Sequence, residues 1–227
     1  MKHIMFILFA LFFRMMTAFG DEPIVLDANW IPAKPEVMTY SSTGSHGNGL
    51  YQVSISRKDS LFEIYINIIS TGFTKTVCGI FDSAMHPLRS KAKIIVGGQI
   101  MMDTECSYTD NKLNISTLMT PYNQKMVQEI AFDQPVIDFS QIPILVRTLQ
   151  LEKEKQYVFN SLDPKTNTLV PLTLKVIGEI LAQEIRCYKI EINDFEGLAI
   201  YWVEKDTPHR VIRVEQPGSH RTVELLK

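Results

Sequence analysis

From Leu50 onward the chain is written in alternation. Tyr51, Val53 and Ile55 are separated by Gln52, Ser54 and Ser56, and Phe62, Ile64, Ile66 and Ile68 repeat the period. Successive side chains of a strand point to opposite faces, so each segment predicts a half-buried β-strand, with Arg57-Lys58-Asp59-Ser60 as the hairpin turn between them. Further strands are expected at 74–82, 88–96, 99–109, 112–118 and 126–132, punctuated by Gly97-Gly98 and Asp110-Asn111, residues that tolerate the positive φ of tight turns. The alternation breaks once. Between Gln141 and Leu151 the apolar residues Ile142, Leu145, Val146 and Leu149 recur at spacings of three and four, which predicts one short helix, with Asp138 or Ser140 as its cap and Pro143 in its first turn. Strands resume at 156–162, 169–177, 183–193, 198–205, 211–216 and 221–226. Connections this short exclude parallel crossovers. The expected fold is therefore mainly β: a large curled antiparallel sheet, a half-barrel or open barrel, with one short helix.

Residues 21–49 read differently. Pro23, Pro32 and Pro35 are followed by a Gly/Ser loop ending Gly44-Ser45-His46-Gly47-Asn48-Gly49, so this stretch is expected to be an extended arm and loop, leaving 50–227 as a single antiparallel β domain. Ahead of it, Met1-Lys2-His3 precedes an unbroken apolar run from Ile4 to Phe13, and Ala18-Phe19-Gly20 places small residues at the positions a signal peptidase reads. Residues 1–20 are thus expected to be a signal peptide, because the apolar run is far shorter than the roughly 18–20 residues needed to cross a bilayer. The mature protein would begin at Asp21 and be periplasmic or secreted, with no transmembrane segment.

Charge narrows the partners. Lys and Arg number 23 against 25 Asp and Glu among 227 residues, without the basic excess of a nucleic-acid-binding protein. Cys78, Cys106 and Cys187 are an odd set, so at most one disulfide can form, and their wide spacing fits no metal pattern; thiols buried in strands are the preferred reading. Asp82-Ser83 with His86 offers a nucleophile, an acid and a base within five residues, yet no nucleophile elbow surrounds Ser83, and a turn is the better reading. The glycine-rich stretch before Leu50 opens no helix and so lacks the phosphate cradle of a helix N-terminus. No catalytic residue, metal or cofactor is expected.

Some strands are apolar on both faces. Leu198, Ile200 and Trp202 alternate with Ala199, Tyr201 and Val203, so a second cover is required, either the helix or a ligand. The rows Tyr188-Ile190-Ile192 and Tyr201-Val203, or the opposite row with Ile200 and Trp202, are the candidate lining of an apolar site. A one-residue register slip would exchange the two. Arg147 is expected to point away from the helix's apolar stripe, toward a carboxylate or an anionic headgroup.

Residues 135–227 resemble the exported bacterial family catalogued as domain of unknown function 3108. The resemblance is carried by Asp138 with the helix ending Leu145-Val146-Arg147-Thr148-Leu149, by Tyr157-Val158-Phe159, by Lys175-Val176-Ile177-Gly178-Glu179 and by Cys187-Tyr188-Lys189-Ile190. Tyr201-Trp202-Val203 and Pro208-His209-Arg210-Val211-Ile212-Arg213-Val214 complete it. It implies a curled antiparallel sheet distantly similar to periplasmic lipoprotein-carrier half-barrels, and an envelope binding protein with no assigned reaction. Two functions follow as expectations. One is a non-enzymatic binder of an apolar or amphipathic ligand, such as a lipid or acyl chain. The other is a structural protein of the cell envelope with a self-filled core and a protein partner.

Overall fold

A computed structural model describes residues 24, 26–28, 31, 34–44, 47–163 and 166–226. The expected leader lies outside the described residues, as do Ser45 and His46 of the Gly/Ser loop. Among the described residues the fold is mainly β, with one short helix. In chain order the strands are β1 (Glu36–Thr43), β2 (Gly49–Lys58), β3 (Leu61–Ser70), β4 (Phe73–Phe81), β5 (Pro87–Val96), β6 (Gln99–Tyr108), β7 (Lys112–Met119) and β8 (Gln124–Ala131). After β9 (Val136–Ile137) and helix α1 (Ile142–Thr148) come β10 (Gln156–Asp163), β11 (Thr168–Ala182), β12 (Ile185–Asp194), β13 (Gly197–Glu204), β14 (Val211–Gln216) and β15 (Arg221–Leu225).

All fifteen strands form one sheet, in the order β8-β7-β6-β5-β4-β3-β2-β1-β15-β14-β13-β12-β11-β10-β9. Every pair is antiparallel except β9 with β10. Chain neighbours are sheet neighbours, as short hairpins dictate, except β8 and β9, which stand at opposite ends of the sheet; the two halves are joined where β1 pairs with β15. The arm expected at 21–49 thus gives way at Glu36 to a central strand. Its row Met38, Tyr40 and Ser42 is buried, and burying that row outweighs the turn-forming residues on either side.

The sheet curls around α1 without closing. Ile144 packs into the cluster built on β1–β5, whereas Leu145, Val146 and Leu149 pack with β10–β13, so the two halves of the sheet flank one helix. Bulges at Ile80/Phe81, Ile94/Ile95, Val176/Gly178 and Trp202/Val203 supply the curvature. Near the ends of the sheet, Leu113 and Ile115 of β7 meet Val136 and Leu162 across the gap, and side chains instead of a ladder seal it there.

Polar anchors fix the helix at both ends. Ahead of α1, Asp138 caps the 3-10 turn Phe139–Gln141 in a capping box, and its buried carboxylate accepts hydrogen bonds from Ser90 Oγ (2.6 Å) on β5, Tyr108 Oη (2.5 Å) on β6 and Ser140. Gln141 donates to the Met85 carbonyl in the β4–β5 turn at 2.6 Å. Gly79 on β4 has no side chain where Ser140 presses against it; an added Cβ would also meet the Phe81 ring at 2.7 Å. At the other end Arg147 is buried, and its Nη2 donates to Glu36 Oε2 and to the Pro208 carbonyl, each at 2.9 Å.

Candidate functional site

The two halves of the sheet diverge on one side of α1 and leave a half-enclosed cavity of about 290 Å³. Its apolar wall alternates along adjacent strands: Val53 of β2 opposes Ile66 of β3, which opposes Val77 of β4, while Ala199 and Tyr201 of β13 and Val214 of β14 face them. Phe139, Ile142 and Pro143 form the helix side. Charged and polar groups gather along the rest of the lining. Lys75 comes from β4, Asp194 and Glu196 from the β12–β13 turn, and Gln216 and Arg221 from the ends of β14 and β15. The Lys75 ammonium lies 5.5 Å from the Phe139 ring centre, and Arg221 Nε donates to Ser42 Oγ at 3.1 Å. A second depression, about 400 Å³, shares Ile68, Phe73 and Arg221 with the first and is bordered by Gly44, Gly47 and Gly49.

Three phenols line or flank this space. Tyr40 and Tyr51, paired across β1 and β2, meet edge to face with ring centres 5.8 Å apart. Burial pushes the Tyr51 hydroxyl up to about 12, eased by Arg221 and reinforced by Glu196. Tyr40 and Tyr201 are also raised, in both cases chiefly by burial and next by the neighbouring Tyr51. All three remain protonated at neutral pH; the buried Tyr40 hydroxyl donates to Met38 Sδ at 3.4 Å, and those of Tyr51 and Tyr201 can donate to a ligand oxygen. An apolar chamber with neutral donors and a mixed-charge margin suits an amphipathic molecule.

The register decides which expected residues belong here. Tyr188, Ile190, Ile192, Tyr201 and Val203 do share the inner face, because Ile190 opposes Tyr201 and Tyr188 opposes Val203. Of these only Tyr201 lines the cavity, since Ile190, Ile192 and Val203 are fully buried against α1 and form core. Ile200 and Trp202 lie on the opposite face and are no part of the site. There Trp202 packs with Cys187 and Ile212, its ring flanked by the Arg213 guanidinium at 5.4 Å and the Lys189 ammonium at 6.0 Å. Arg147 is also excluded: its partner is the Glu36 carboxylate, and burial draws its pKa down against that pairing. The residues missed were chiefly those of β1–β4. The rows Tyr51-Val53 and Ile64-Ile66-Ile68 were visible as alternation, but nothing local shows that they face β13 across the curl.

The remaining candidates have structural settings. Asp82 accepts hydrogen bonds from the backbone N–H groups of Ala84 (2.9 Å) and His86 (2.8 Å), and its Oδ2 lies 3.1 Å from His86 Nδ1, so the cluster organises the β4–β5 turn. The three cysteines are free, with Cys106 and Cys187 buried and Cys78 partly so. Among the described residues no group of three or more His, Cys, Asp or Glu side chains could hold a metal ion, and no helix is long and apolar enough to cross a membrane.

No protein-family model matches the chain, and no curated protein does. Solved structures do. One is a β-barrel-like protein of the domain of unknown function DUF1849 from Brucella abortus, 10% identical over 87% of this chain and 98% of that one, with a TM-score of 0.60. Another is a DUF1329 family protein from Desulfovibrio piger, 8% identical over 88% and 86% of the two chains, with a TM-score of 0.28. The resemblance to domain of unknown function 3108 is thus replaced by a broader statement: the chain shares the β-barrel-like fold of the Brucella protein, at an identity that speaks for the fold alone.

Proposed function

We propose that the protein is an exported, non-enzymatic envelope protein that holds an apolar or amphipathic ligand, such as a single acyl chain, inside its curled sheet. The observation that carries this reading is the cavity: about 290 Å³ of space walled by Val53, Ile66, Val77 and Tyr201, with Lys75 and Arg221 among its lining groups. That volume is near the lower end of small-molecule pockets and about twice that of an engineered apolar cavity that admits benzene, so one chain fits better than a two-chain lipid. The phenols of Tyr51 and Tyr201 supply donors, and Arg221 and Lys75 supply positive charge for an anionic head. The leader expected at residues 1–20 supports export.

The test is displacement of an environment-sensitive anionic dye by fatty acids and lysophospholipids, because Trp202 lies on the far face and would report poorly. Saturable displacement is expected. Ala199→Phe, which fills the cavity from the inner face, should weaken it at least about tenfold while leaving the fold intact. No displacement, together with a lipid-free mass for protein purified gently from its own envelope fraction, would remove the ligand. Export is tested separately by N-terminal sequencing, which should begin at Asp21; an intact Met1 chain in membranes would count against it.

A further inference from the structure

The sheet ends in two unequal edges, the two-residue β9 and the eight-residue β8. All of β8 is exposed except the half-buried Ile130. Phe132 N–H donates to the Asn111 carbonyl at 3.0 Å, continuing the register in which Lys112 opposes Ala131. Hydrogen-bonded pairs alternate along an antiparallel ladder, so Ile130, Gln128, Met126 and Gln124 bond to β7. The backbone groups of Lys125, Val127, Glu129 and Ala131 therefore point away from the sheet. Side chains of the same odd-numbered residues lie on the outer face, because Ile130 and Gln128 oppose the buried Leu113 and Ile115. Gln128 spans the gap to the Asn167 carbonyl at 2.9 Å from the inner row, without using these backbone groups.

We infer that β8 pairs with β8 of a second copy of this chain, antiparallel, about a two-fold axis through Val127. The outward row Lys125-Val127-Glu129 selects that register. Centred on Lys125 the strands would bring Lys against Lys, and centred on Glu129 they would bring Glu against Glu. Centred on Gln128, Lys125 would face Ala131 and Glu129 would face Val127; centred on Met126, Lys125 would face Val127 and Glu129 would face Asn123, so in neither register does a charge meet its opposite. Centred on Val127, the valines meet and two Lys125–Glu129 pairs flank them. Like charges directly opposite are destabilising and opposite charges are favourable, so the same residues that deter other pairings complement this one. Val127 is 73% exposed in the isolated chain, an apolar side chain on an edge strand that such pairing would cover. Glu129 is held by Lys112 at 2.8 Å yet stays half exposed, which leaves it able to meet a second cation. The inference is independent of the ligand reading.

Sedimentation of the purified protein decides it. The unmodified chain should run at twice the monomer mass, dissociating on dilution. Lys125→Glu and Glu129→Lys should each weaken the dimer roughly tenfold or more, and combining them should restore it, because the pairing is regenerated with its sign reversed. Val127→Pro is the control for folding. Its lost N–H points away from β7, so the monomer ladder is kept while dimerisation is abolished. A monomer at all accessible concentrations, or a dimer unaffected by Val127→Pro, overturns the proposal.

Discussion

Single residues illustrate how side-chain chemistry is settled by partners distant in sequence. Arg147 sits on an apolar helix and is buried, and the Glu36 carboxylate, 111 positions earlier, together with the Pro208 carbonyl makes that tolerable. Removing one member of a buried pair strands the other, so Arg147→Ala should cost on the order of 3 kcal/mol, less any relief from the partial exposure of Glu36. Arg147→Met keeps the packing of the aliphatic stem and should cost less; equal losses in chemical denaturation would mean that charge alone matters. The sequence exposed the choice between a carboxylate and a headgroup, but the Glu36 partner lay in a segment read as an arm. Tyr201 shows the opposite case. Its alternation with Trp202 was legible, and only the pairing of Ile190 with Tyr201 tells which of the two faces inward.

At the level of elements, legibility followed turn chemistry. Strands bounded by Gly97-Gly98 or Asp110-Asn111 lie within a residue or two of their expected limits, because each hairpin is closed by local φ preferences. β1 was missed because Met38, Tyr40 and Ser42 form a mixed row that gains its burial from β2 and β15 on either side and from the helix packed over it, all distant in sequence or unmarked locally. The helix was expected over 141–151 and is α-helical over 142–148, since a 3-10 turn precedes it and Leu149 is already extended. Its role differs from that of an outer cover: α1 lies between the two halves of the sheet, with buried residues facing both. Leu145, fully buried there, should cost about 2–5 kcal/mol on replacement by Ala, and a loss below roughly 0.5 kcal/mol would mean that it does not plug the sheet. Gly79→Ala should also destabilise, by pushing Ser140 and Phe81 apart; an unchanged thermal midpoint would show that the contact at β4 can relax.

For the whole molecule, curling brings β1–β4 to face β13 and β14, and this long-range pairing creates a cavity that no local pattern encodes. It also concentrates phenols in a poorly solvated interior. Tyr51 is pushed up to about 12 and Tyr40, Tyr108 and Tyr201 are raised as well, in each case mainly by burial, whereas tyrosines of the unfolded chain ionise near 10. A raised folded-state pKa leaves stability intact below the unfolded value and removes it as pH rises toward the folded one, because above pH ~10 the unfolded chain releases protons that the folded chain retains. The thermal midpoint should accordingly fall steeply between about pH 10 and 12. Tyr201→Phe should flatten that fall while changing stability at pH 7 little, since in the folded protein the hydroxyl stays protonated through this window. A midpoint insensitive to pH up to 12, or an equally steep fall in the variant, would mean that Tyr201 ionises freely and that its side of the cavity is open to water.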